Sequence, residues 1–257
     1  NDLHDELQDI IQSQGAAQPQ WLAAGRVTEA VADAWRDLGN TALALQWYEM
    51  SLNAPDGRAS LAAPEQWLNI RARTACNTQA EFDSVIAEIA RLVALAPTAG
   101  RYAILGSAHK RAALKSTAKA DSKSMRARLQ AMHDAYAQAE RLNEPDVYHH
   151  ATQRLLAQAC LAGAGSMSPA QAALHLDRLR QLRTHSEATR GADFWTTVAV
   201  HELDLLEALL GGTLAQRADA LLQAFTRVHQ RVNTPHLWAP VADTWNFVLR
   251  FNSPAQG

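Results

Sequence analysis

Residues 34–56, AWRDLGNTALALQWYEMSLNAPD, read as the end of one helix, a tight reversal, a second helix and a stop. So short a connection forces the two helices to lie antiparallel and in contact. Gly39 sits where the chain must reverse and a side chain would clash. Ala44 and Ser51 are small and let the two helices approach closely, Trp35 and Tyr48 fill the space between them, and Pro55 ends the run. A lone hairpin of this kind cannot bury its apolar faces, so the rest of the chain is expected to supply more hairpins to stack on it.

The bulk of the sequence agrees with that expectation. The chain has 257 residues, 47% of them hydrophobic, with alanine and leucine prominent. Such a composition favours helix nearly throughout, and no strand-like alternation of useful length is present. The formal net charge of -2 gives no global drive toward nucleic acid or membrane. Cys76 and Cys160 lie far apart in helical context, which suits a reducing, cytoplasmic setting and offers neither a disulfide framework nor a zinc spacing. No apolar run is long enough to span a bilayer. A start at Asn1 and a loose SPAQG at the end lead to the expectation of a fragment of a longer multidomain chain, with residues 1–257 forming one repeat domain.

Punctuation divides the chain into five hairpins with flanking helices. Leu3, Leu7, Ile10 and Ile11 mark one face of a first helix. The first hairpin is predicted as Trp21 to Leu38 and Thr41 to Asn53. After the Pro55-Asp56-Gly57 turn, the second is Glu65 to Cys76 and Ala80 to Leu95. The third starts near Arg101, carries Leu105-Gly106 and ends before Pro145, with a Lys/Ser/Ala-rich insertion, KSTAKADSKSMR, read as an exposed loop or as helix extensions with a polar tip. The fourth is Val147 to Leu161 and Ser168 to Leu182, with Leu174, Leu176, Leu179 and Leu182 expected to face inward and HSEATRGAD read as a loop. The fifth is Phe194 to Leu210 and Leu214 to Val232 about Gly211-Gly212. An apolar helix over residues 236–251 is expected to cover the end of the last hairpin.

The first hairpin resembles a tetratricopeptide repeat, whose pattern has a large residue, a Leu-Gly pair, an aromatic, then Ala, an aromatic and Pro over about 34 residues. The match weakens along the chain. The resemblance implies an all-α, right-handed superhelical solenoid of about five hairpins with flanking helices, and a protein-binding role. A narrower resemblance is carried in order by AWRDLGNTALALQWYEMSL, APEQWLNIRAR, LGSAHKRAAL and DFWTTVAVHELDLL. Together they are similar to helical regulatory regions of bacterial proteins with CHAT peptidase domains, and to the TRAF-binding central region of mitogen-activated kinase kinase kinases. That likeness implies a regulatory or sensing region, with the peptidase absent from this chain.

No chemistry stands out. His149-His150 are adjacent and diverge by roughly 100° on a helix, and HELDLLE at His201 lacks the second histidine of a zinc-protease helix. Neither Gly163–Gly165 nor Gly211-Gly212 follows a strand, so both read as turns and not as phosphate cradles. Cys76 and Cys160 have no nominated base. The expectation is therefore a non-enzyme without metal or cofactor that binds another protein or another domain of its own polypeptide. Two surfaces are nominated. In the resembling family the first helices of the repeats line the concave face, which implies Arg26, Glu29, Asp33 and Arg36 there. A basic set, Lys110, Arg111, Lys115, Lys119 and Lys123, falls in the 110–128 region with only Asp121 opposing. This set reads as a solvated loop, as an acidic-partner site, or as a nucleotide- or nucleic-acid-sensing module. It lacks the interleaved aromatics of a base-stacking surface.

Overall fold

A computed structural model describes residues 2–116, 122–142, 147–162, 168–190 and 193–252. Among them are twelve α-helices, one short 3-10 turn and no strand. The fold is all-α, a helical repeat of the solenoid class. It divides into two compact units, residues 1–92 and 93–257.

In the first unit, helix α1 (Asp2–Ala17) leads into a 3-10 turn at Pro19–Ala23, then α2 (Gly25–Asp37), α3 (Thr41–Leu52), α4 (Ala62–Thr74) and α5 (Gln79–Leu95), whose last residues run past the boundary. Trp21 thus lies in the 3-10 turn, and not at the start of a long helix. Pro19 begins that turn, and α2 restarts at Gly25, whose amide donates to Asp56 Oδ1 at 3.0 Å. A Cβ on Gly25 would stand 2.7 Å from the Ala59 backbone nitrogen, so only glycine admits this approach. Gly39 takes φ 82°, the left-handed conformation the reversal needs. The core is Ala32, Trp35, Ala44, Tyr48, Ala63 and Ile70. Leu7 and Ile11 of α1 pack against it, whereas Leu3 and Ile10 are exposed.

The second unit holds α6 (Ala99–Lys115), α7 (Lys123–Arg141), α8 (Val147–Ala162), α9 (Pro169–Arg190), α10 (Phe194–Leu210), α11 (Leu214–Arg231) and α12 (Pro235–Asn252). Helix α6 packs along α7, and α7 along α8. Gly106 is the contact point of the first pair, because a Cβ there would lie 2.6 Å from Tyr136 Cε2. The run HSEATR, read from sequence as loop, is helix to Arg190. It contains no glycine or proline, and Arg183 pairs with Glu187 one turn on. Leu179 is buried and Leu176 and Leu182 pack on the core, but Leu174 is 70% exposed, so the inward stripe is narrower than expected.

The largest departure is α12. Its Val241 and Trp245 pack with Val198 of α10 and Phe225 and Val228 of α11, as an end cover would. The same helix also runs back against α6 and α8. Phe247 is fully buried, and the Arg250 guanidinium donates to the carbonyls of Leu114 (3.0 Å) and Ser116. Within this unit the last helix therefore closes onto the first.

Candidate functional site

The four α2 residues are divided by the structure. Arg26 is mostly exposed and pairs loosely with Glu29 at 3.5 Å. Glu29 is 8% exposed and serves the fold: its carboxylate accepts from the Ser60 amide at 2.9 Å and from the Ser60 hydroxyl, fixing the approach to α4. Asp33 accepts from Tyr48 Oη at 2.5 Å and from Arg36 at 2.7 Å, and Arg36 also reaches Tyr48 and Asp37. Burial, then the bond to Asp33, pushes the Tyr48 phenol well above its ordinary range. Arg26 is the member with an extended free surface, and the other three are engaged within the unit.

The basic set is divided more sharply. Lys115 and Lys123 are exposed at the facing ends of α6 and α7. Lys119 lies outside the described residues. Lys110 and Arg111 do not belong to an exposed insertion at all. They lie on α6, 5% and 7% exposed, and the solvated reading of these two is corrected. Ala108, Ala112 and Ala113 on the same stretch of α6 are buried as well.

What surrounds the pair is a polar cluster drawn from four helices. Lys110 Nζ donates to Gln153 Oε1 of α8 at 3.0 Å and to Thr244 Oγ1 of α12 at 2.9 Å. The Thr244 hydroxyl hydrogen is committed to the Pro240 carbonyl at 3.1 Å, so its oxygen is the acceptor for the lysine. The ammonium also stands 5.6 Å from the centroid of Phe247. Arg111 Nε faces Asp243 Oδ2 at 3.5 Å, while its buried Nη1 has no hydrogen-bond partner among the described residues. Burial draws Lys110 down to about 8, against the pull of Asp243. Burial also lifts Glu202 of α10 up to about 7, against the pull of Lys110. His150 and Thr152 of α8 are buried on the same helix as Gln153.

Other charged groups tie neighbouring helices together. Glu140 of α7 accepts from Arg154 of α8 at 2.6 Å and from Arg178 of α9 at 3.0 Å. Glu207 meets Arg180 and Arg217, joining α10 to α9 and α11. The His149 and His150 rings meet edge-on at 5.9 Å. Among the described residues no group of three or more His, Cys, Asp or Glu is placed to hold a metal ion. Cys76 is buried, and that burial raises its thiol pKa. Among the described residues no helix is long and apolar enough to cross a membrane.

Residues 40–161, the stretch from the first reversal to the end of α8, match the family model described as Tetratricopeptide Repeats-Sensor. A crystal structure described as a thermophilic TPR protein in Thermus thermophilus aligns with a TM-score of 0.56 at 18% identity, over 88% of this chain and 100% of that one. The fold is that of the tetratricopeptide-repeat superfamily. No curated protein matches the chain. The tetratricopeptide signature accounts for Gly39 and Gly106, which lie at helix contacts and turns. It does not account for Lys110, Arg111, Gln153, Glu202, Asp243 and Thr244. Of these the sequence signalled the Lys110-Arg111 pair, set in an otherwise alanine-rich run, and offered Glu202 only as one of several carboxylates on an apolar-striped helix. Gln153 and Thr244 are 43 and 134 positions from Lys110, beyond any local pattern.

Proposed function

We propose that the chain is a non-enzymatic regulatory scaffold that binds another protein, or another domain of its own polypeptide. Its setting is a cytoplasmic bacterial signalling or immunity system. The observation that carries the reading is the match of residues 40–161 to the Tetratricopeptide Repeats-Sensor model, on a fold made of stacked hairpins. Such surfaces recognise partners by shape, with a few aromatic or Arg anchors supplying most of the affinity. The exposed cations Arg26, Lys115 and Lys123 are the accessible members of the nominated surfaces, and they suit an acidic partner face.

The test is capture from native lysate, identification of the retained protein, and reconstitution from purified components by calorimetry. Saturable binding that weakens with Arg26→Glu or with Lys115→Glu and Lys123→Glu supports the reading. Failure of every captured protein to bind in reconstitution, or turnover of a small molecule by the purified chain, overturns it.

A further inference from the structure

Two cations are buried on consecutive residues of α6, and the carboxylates around them neutralise them only in part. A buried ammonium or guanidinium ordinarily sits against a carboxylate, because leaving either charge unpaired in a low-dielectric interior is strongly unfavourable. Asp243 is the carboxylate within ion-pair range of Arg111, and it approaches the Nε edge at 3.5 Å with its own side chain about one-third exposed. Lys110 receives two neutral oxygens, from Gln153 and Thr244. Glu202 is the other acid that acts on Lys110, and its own burial keeps it close to half-protonated at neutral pH. The cluster is thus left with an excess of positive charge.

Its hydrogen-bond accounting is also open. An ammonium has three donors, of which Lys110 uses two; a guanidinium has five, and Arg111 Nη1 is buried with no acceptor among the described residues. Both side chains are set against the same turn of α12, at Asp243 and Thr244. A purely structural strut would not need this composition. A methionine at position 110 would fill the same space without a buried charge, and such replacements of buried ions are often neutral or stabilising. Unspent donors on two cations that both face one turn of α12 are the recognition chemistry of an oxyanion, since guanidinium and ammonium both form charge-assisted bonds to its oxygens.

We infer that the Lys110–Arg111 turn of α6, closed by Asp243 and Thr244 of α12, is a binding site for the oxyanion group of a small molecule, a phosphate or a carboxylate. The anion takes the free donor of Lys110 and the Nη1 edge of Arg111, and displaces part of the Asp243 contact. This goes beyond the scaffold reading: it concerns a small ligand within the second unit, and it stands or falls without a protein partner.

The experiment is titration calorimetry with the full chain at constant ionic strength, using inorganic phosphate, pyrophosphate and citrate as probes and chloride as the control. Saturable binding of at least one probe is expected, with chloride silent. Preference for phosphate and pyrophosphate over citrate identifies a phosphoryl ligand, and the reverse a carboxylate. Lys110→Gln and Arg111→Gln each weaken binding at least tenfold, Arg111→Lys retains part of it, and Lys115→Gln on the exposed end of the same helix leaves it unchanged. Circular dichroism checks that each variant is folded, and Arg111→Lys keeps the charge should the glutamine variants unfold. No saturable binding of any probe up to millimolar concentration overturns the inference. So does binding that Arg111→Lys and Lys110→Gln leave intact.

Discussion

Replacing Gly106 by alanine sets two effects of opposite sign against each other, and the structure decides between them. Helix propensity and unfolded-chain entropy both favour the alanine, by about 1 kcal/mol. The new Cβ, however, would stand 2.6 Å from Cε2, 2.7 Å from Cδ2 and 3.1 Å from Cζ of Tyr136. Carbon atoms in contact prefer about 3.5–4.0 Å, so ring or helix must retreat by close to an ångström. Tyr136 is 2% exposed and embedded in the main core of the second unit, and its ring meets that of His149 edge-on at 6.2 Å. Overpacking of this kind costs about 1–3 kcal/mol. At the middle of that range the alanine's gain leaves a net loss of about 1 kcal/mol for Gly106→Ala, which for a unit of this size lowers the melting temperature by about 2–4 °C. Calorimetric or circular-dichroism melts of the full chain read it directly. A double-mutant cycle isolates the cause: in a Tyr136→Leu background the same alanine should be neutral or stabilising. A melting temperature that stays level or rises with Gly106→Ala in the native background refutes the reasoning, because the ring would then have had room.

Three further outcomes follow from other sites. Burial alone would raise the Glu140 carboxyl, but the bonds from Arg154 and Arg178 outweigh it and hold the group below the usual range. Its contribution is therefore present above about pH 4.5 and lost as pH falls through the folded value, and Glu140→Gln should cost about 1–3 kcal/mol at neutral pH and little in acid, as read by denaturant melts. Asp193 and Thr196 form a capping box at the start of α10, so Asp193→Ala should cost about 1 kcal/mol and speed amide exchange in the first turn of that helix. The buried charges make a pH signature of the opposite kind. Glu202, lifted from 4.5 to about 7, destabilises progressively as pH rises between those values, and Lys110, drawn from 10.5 down to about 8, is relieved as pH rises from 8 toward 10.5. Their joint contribution to stability is lowest near pH 7–8, and Glu202→Gln should remove the fall on its acidic side in melts taken across that range.

The helices were legible because glycine and proline punctuate this chain where it turns. Gly39, the Pro55-Asp56-Gly57 turn and Gly211-Gly212 each fall between helices as read, and Gly39, Gly57 and Gly212 adopt positive φ. Boundaries failed where polarity stood in for punctuation. HSEATR is polar but has no breaker, so it extends α9, and the pattern that joins Trp21 to α2 crosses a break that depends on Asp56, 31 residues after Gly25. The candidate site was half legible. Lys110 and Arg111 were visible as charges, but charge in a lone sequence reads as surface, since lysine and arginine are rarely buried. Their cover is completed by α12, which comes last in the chain.

That return of α12 onto α6 also sets a clock. Lys110 and Thr244 are 134 residues apart, so the contact that encloses the buried lysine is among the least local in the chain. Stacked hairpins can form one after another as they leave the ribosome, at about 5–20 residues per second. On that scale the turn of α6 holding Lys110 and Arg111 waits roughly 7–27 s for its cover to be synthesised. Until α12 is in place, Lys110 lacks its Thr244 acceptor and Arg111 its Asp243 carboxylate, so the two cations are left with fewer protein partners.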